Sequence, residues 1–129
     1  MPLCDPKGCN FEYTTEGLPE GMAFVEVPVK DMKRAVSFYT DILRFVPVSQ
    51  SDSTSVLKMN DGCKIILTVN PGGAGKDTGI YLRTGSPFDL NRRMVDDGVM
   101  IRRHPQRGPL GVHLSFADSE GNILHVIGS

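Results

Sequence analysis

Apolar and polar residues alternate from Met22 to Val29, with Val25, Val27 and Val29 on one side and Phe24, Glu26 and Pro28 on the other. A period of two marks a strand with one buried face. Pro28 cannot donate to a ladder and belongs at a strand end or sheet edge. The period then changes. Ala35, Phe38, Tyr39 and Ile42 recur at helical spacing, and Asp31 is placed to cap the helix they define, over about residues 32–43. Three strands are predicted next, over about residues 44–50, 54–60 and 62–69. Asn60-Asp61-Gly62 predicts a type I′ hairpin, because Asp and Gly tolerate positive φ. The apolar, β-branched run Cys63–Val69 predicts a buried strand.

Pro71-Gly72-Gly73-Ala74-Gly75-Lys76-Asp77 then interrupts the pattern. It is not a phosphate loop: Lys76 is followed by Asp77 rather than Ser or Thr, and an apolar strand follows where a helix is needed. It reads as a flexible connector. Beyond it the order repeats. A strand over Gly79–Thr84 leads to Ser86-Pro87-Phe88-Asp89, a helix start, and the helix runs to about Asp97 with Gly98 closing it. Strands over Val99–Arg103, Gly111–Ala117 and Asn122–Ile127 complete the chain, with Ser119-Glu120-Gly121 as the last turn. Each half is one helix and four short strands, too little to close a core alone. The predicted fold is α+β: two βαβββ modules forming a cupped, incomplete mixed β-barrel with flanking helices. The boundaries are an N-terminal arm at residues 1–20, one domain over 21–129, modules at 21–70 and 78–129, and a linker at 71–77.

Length and charge narrow the partners. The 129 residues suit one domain, and a formal charge of -1 offers no basic footprint for nucleic acid. No apolar run is long enough to span a membrane, and the polar N-terminal stretch has no signal-peptide core. A soluble, cytoplasmic protein that acts on a small molecule is expected, without nucleic-acid or membrane partners. Three cysteines, Cys4, Cys9 and Cys63, give no disulfide framework. Cys4 and Cys9 flank a tight, turn-rich loop: they could pair or share a metal, and the simpler reading is free thiols of the arm.

The stretch from Val29-Lys30-Asp31 to Phe38-Tyr39, the segment Asp118 to His125 and the paired βαβββ order together resemble the vicinal-oxygen-chelate superfamily. That superfamily groups glyoxalase I, bleomycin-resistance proteins, fosfomycin-resistance transferases and extradiol dioxygenases. The resemblance covers about residues 22–127. It implies a cup with metal ligands at four places, and this chain departs from three of them. The position seven residues before Asp31 is Phe24. The fourth strand, Cys63–Val69, has no His, Asp or Glu. The fifth has Gly79 nearest the expected place. Only the position seven residues after Asp118 holds a ligand type, His125. The usual metal site is therefore expected to be absent, and no cofactor is expected unless the site has been rebuilt.

Parity nominates replacements. If Phe24 points into the cup, so does Glu26; His113 and Ser115 share a parity opposite to Val112, Leu114 and Phe116; and His125 points opposite to Leu124 and Val126. The candidate catalytic group is Glu26, His113 and His125, which would also be the ligands of a rebuilt metal site. Phe24, Ser115, Arg102 and Arg103 are the candidate substrate-binding residues, the arginines lying in a basic stretch, Arg102–Arg107, that reads as a loop or strand end. Two functions follow from the resemblance. One is a glyoxalase-like lyase or isomerase with Glu26 as base and an imidazole polarising the carbonyl. The other is a non-catalytic protein that binds a drug or metabolite, of the resistance type. An extradiol dioxygenase would need the same trio around iron, away from the family's usual places. The resemblance also implies a homodimer whose groove is built across the subunit interface.

Overall fold

Four strands and one α-helix occur twice in the same order, in a computed structural model that describes residues 17–129. The strands of the first module are β1 (Phe24–Val29), β2 (Val46–Gln50), β3 (Thr54–Lys58) and β4 (Lys64–Val69), with α1 (Met32–Ser37) after β1. Those of the second are β5 (Asp77–Thr84), β6 (Met100–Gly108), β7 (Gly111–Ala117) and β8 (Ile123–Gly128), with α2 (Pro87–Asp96) after β5. Each module makes its own open sheet, ordered β1-β4-β3-β2 and β5-β8-β7-β6. In both, the first strand pairs parallel with the last and the others pair antiparallel. The architecture is α+β, two mixed four-stranded sheets that do not close into a barrel. Cys4, Cys9 and most of the N-terminal arm lie outside the described residues.

Local chemistry sets the element ends. Asp31 caps α1 by accepting from the Arg34 amide. The helix continues as a π-helical turn, Phe38–Ile42, and stops at Arg44, whose φ of 63° is the only positive value at a non-glycine residue among those described. The Phe45 amide reaches back to the Tyr39 carbonyl, so Arg44 takes the left-handed place that glycine usually fills. Gly98, with φ of 80°, closes α2 as expected. Ser86 precedes α2, but its hydroxyl donates to the Asp89 carboxylate instead of capping the backbone.

Three expectations need correction. The β3–β4 turn is not type I′: only Gly62 has positive φ, the Gly62 amide donates to the Met59 carbonyl, and the Met59 amide donates to that of Cys63. That is a type I turn with a bulge, which needs one left-handed residue instead of two. Cys63 consequently sits in the turn, exposed, and the strand starts at Lys64. Arg102–Arg107 is not a loop but the body of β6, which carries irregularities between Ile101 and Arg103 and between Arg103 and Gln106. The connector before β5 is also tied down, since the Gly75 amide donates to Asn122 and the Ile123 amide to the Lys76 carbonyl.

The valine parity of β1 and the helical stripe of α1 meet in one core shared by both modules. Val27, Val29, Ala35, Phe38 and Tyr39 pack with Leu114, Phe116, Leu124 and Val126. The Phe38 and Phe116 rings stack with centroids 6.3 Å apart, which joins α1 to the second sheet. Full burial of each Val, Leu or Phe side chain among them is worth about 1.5–3 kcal/mol. The opposite faces of the two sheets therefore point away from this core, and those are the faces that carry the candidate polar residues.

Candidate functional site

Strand register assembles the site in a single row. Arg103 on β6 is opposite Ser115 on β7, Ser115 is opposite His125 on β8, and His125 is opposite Tyr81 on β5. His113, two residues before Ser115, joins the same face. The Tyr81 and His125 rings stack nearly parallel, 4.5 Å apart, and the His113 ring lies 5.2 Å from His125. His125 Nε2 is 2.9 Å from Asp77 Oδ1, while His125 Nδ1 is 3.0 Å from Ser115 Oγ and 3.1 Å from His113 Nε2.

Electrostatics fixes the orientation of the proton. The Gly79 amide and the His125 ring both donate to Asp77, and together they lower its carboxyl below the usual range. An ionised carboxylate only accepts, so His125 carries its proton on Nε2. Nδ1 is then free to accept from the Ser115 hydroxyl or from His113 Nε2–H. His113 is held below the ordinary histidine value by burial, by His125 and by Arg103, which all disfavour the imidazolium. These residues line a shallow basin of about 520 Å³ with Arg102, Arg103 and Ile123. Arg102 and Arg103 are neighbours in sequence and would point apart on a regular strand. The irregularity in β6 lets both reach the basin.

Of the residues that the sequence nominated, the structure brings together His113, Ser115, His125, Arg102 and Arg103. It does not bring Glu26 to them. Glu26 is exposed on the first sheet, where Thr68 donates to it. Parity was read correctly along β1, but each module has its own outward face, so one parity does not mean one surface. No group of three or more His, Cys, Asp or Glu side chains is placed to hold a metal among the described residues, the Glu26, His113, His125 trio included. The family's usual ligand places do not fit an ion either: Phe24, the β4 run Lys64–Val69 and Gly79 supply no ligand, and His125 stands alone.

Phe24 and Glu26 line a different feature, a cleft of about 1010 Å³ between the modules. Ile42, Phe45, Met59, Ile80, Leu82 and Met94 form much of its wall. Tyr81 lines both the cleft and the basin. Sequence reading missed Asp77 and Tyr81. The signal was present: they share parity on β5, four residues apart, beside the strand that holds His125.

It also missed what the last turn does. Asp118 accepts from the Tyr39 hydroxyl and from the Glu120 and Asn122 amides. The Asn122 side chain donates to the Pro28 carbonyl. Glu120, 3 % exposed, accepts from the Lys30 and Asp31 amides, from Arg34 and from Ser119. The two sequence segments that carry the family resemblance thus bind each other and lock the modules together. Burial alone would raise the Glu120 carboxyl, but these donors outweigh it and hold it at about 2. Burial, the Asp118 charge and the hydrogen bond to it push the Tyr39 phenol well above its ordinary value.

The family model for the Glyoxalase/Bleomycin resistance protein/Dioxygenase superfamily matches residues 21–126. The chain belongs to that superfamily. Among curated protein sequences none matches it significantly. Solved structures share its fold at low identity. The antibiotic binding protein TnmS3 from Streptomyces sp. CB03234 has a TM-score of 0.76 at 20% identity, over 86% of this chain and 97% of its own. Lactoylglutathione lyase from Agrobacterium tumefaciens has 0.72 at 14%, over 84% and 93%. The bleomycin-binding protein of Streptomyces verticillus, solved with copper(II)-bleomycin, has 0.69 at 15%, over 87% and 99%. Within this superfamily both binding and catalysis are built on one scaffold, so the site has to decide between them.

Proposed function

We propose that this superfamily member binds a small drug or metabolite without transforming it, as a cytoplasmic homodimer. The observation that carries the reading is the cleft between the modules. Its volume suits a drug-sized molecule, and its wall combines apolar side chains with charged groups such as Glu26, Arg83 and Arg93 that can orient a polar substituent. Phe24, 50% exposed, and Tyr81, 58% exposed, offer aromatic surface to a planar ligand. The basin beyond Tyr81 adds imidazoles and arginines for a polar or anionic substituent. The antibiotic-binding and bleomycin-binding proteins of like fold support this reading.

The dimer follows from the uncovered faces. The sheet surfaces that hold Glu26 and the imidazoles both turn away from the shared core. A two-fold axis can lay the first sheet of one copy over the second sheet of its partner, closing two equal hollows. Sedimentation should then give the mass of two 14.1 kDa chains.

The lyase or isomerase reading is favoured by one feature, the Asp77–His125–His113 relay, which is suited to moving a proton. A thermal-shift screen of polycyclic aromatic antibiotics and of α-ketoaldehyde–thiol adducts separates the two. The binding reading expects a stabilising antibiotic that is recovered unchanged, with affinity weakened about tenfold by Phe24→Ala or Tyr81→Ala. Turnover of an adduct, or stabilisation indifferent to both substitutions, would remove it.

A further inference from the structure

We propose that the basin takes the carboxylate of an aromatic acid, held by Arg102, Arg103 and the Ser115 hydroxyl while the ring of the acid lies against Tyr81. The aromatic part rests on the drug-binding reading; the acid group goes beyond it. Arg103 is opposite Ser115 in the ladder between β6 and β7, and the break in the β6 register lets Arg102 reach the same hollow. Among the described residues neither arginine has an ion-pair partner. Asp77 is the one carboxylate lining the basin, and it is turned to the Gly79 amide and to His125 Nε2. With neutral imidazoles, two guanidinium groups against one carboxylate leave a positive charge in excess. Guanidinium forks match the two oxygens of a carboxylate.

The hydrogen bonds give a second, independent reason. His125 carries its proton on Nε2, so its Nδ1 presents a lone pair. His113 Nε2 lies 3.1 Å from that nitrogen, where two facing lone pairs would repel, so His113 Nε2 bears a proton and donates it. This bond uses the Nδ1 lone pair. The Ser115 hydroxyl, 3.0 Å from the same nitrogen, is left with a proton to give. Ser115 is 4% exposed and lines the basin, and a buried donor without an acceptor is costly. A carboxylate oxygen entering the basin is the acceptor it lacks. Tyr81 covers the His125 ring with one face, is itself 58% exposed, and borders both basin and cleft. A ring stacked there places its acid group over the arginines and leaves its far edge to the cleft.

Calorimetric titration of the full chain with naphthoate and with its uncharged isostere naphthamide tests the proposal. Naphthoate should bind once per chain, and naphthamide about tenfold more weakly. Arg102→Ala, Arg103→Ala and Ser115→Ala should each weaken naphthoate by about tenfold and leave naphthamide unchanged, while Tyr81→Ala should weaken both. Arg107→Ala removes an equal charge from the same strand outside the basin and should change neither. The unfolding midpoint of each variant reports its folding separately. Equal affinity for the amide, no binding of naphthoate at millimolar concentration, or naphthoate binding indifferent to both Arg102→Ala and Arg103→Ala overturns the acid site. So does inorganic phosphate that displaces naphthoate at equal concentration, since the basin would then hold the free ion. An antibiotic that stabilises the chain through Phe24 while naphthoate fails removes the acid group alone and leaves the drug-binding reading standing.

Discussion

Replacing Glu120 by alanine is expected to cost about 3–5 kcal/mol of folding stability, the range for breaking a buried ionic network by removing one partner. The side chain is fully buried although it belongs to a surface turn. Its two oxygens gather the Lys30 and Asp31 amides, both ends of the Arg34 fork and the Ser119 hydroxyl. Alanine would strand two amides at the head of α1 and release one of the contacts by which the second module holds the first. For a chain of this length the loss should lower the midpoint of thermal unfolding by about 10–20 °C. Arg34→Ala should cost much less, because Arg34 is half exposed and exposed ion pairs contribute little. Urea unfolding of the two variants checks the order. Equal losses, or a Glu120→Ala loss below about 1 kcal/mol, would mean that the turn is not a clamp.

Acid should weaken the protein through the same carboxylate. Glu120 titrates at about 2 in the folded chain against an ordinary value of 4.5. A lowered carboxyl stabilises the fold above its unfolded value, and that stability is lost as pH falls toward the folded one. The contribution is on the order of 3 kcal/mol, fully present above about pH 5 and gone near pH 2. Stability measured by denaturant from pH 6 down to pH 2.5 should fall along this window. In Glu120→Gln the fall should be much shallower, since the group that titrates is gone. An unchanged acid profile in that variant would assign the loss to other carboxylates.

Much of the fold was legible because periodicity is local. The valines of β1, the stripe of Ala35, Phe38 and Tyr39 and the Asp31 cap each follow from a few neighbouring residues. The doubled order of elements, with the family segments at both ends, gave the two-module architecture. Parity likewise found His113, Ser115 and His125, because β7 and β8 are antiparallel neighbours in one sheet. It failed at Glu26, because whether two sheets share a surface depends on how the modules pack, and strand period is silent about that. Asp77 was hidden for a similar reason. It looked like the end of a glycine-rich connector until the parallel pairing of β5 with β8 set it against His125. Asp118, Glu120 and Asn122 looked like turn residues, and only their partners on β1 and α1 reveal them as the joint between modules.

Asp77 orients His125 toward Ser115 and His113 beneath Tyr81, and this constellation is the polar half of the site. Long-range nitrogen–proton NMR of the histidine rings reads it directly at neutral pH. The expected result is a His125 ring protonated at Nε2, with that preference lost in Asp77→Asn while the fold is kept. A His125 proton on Nδ1, or a ring indifferent to Asp77→Asn, would contradict the account.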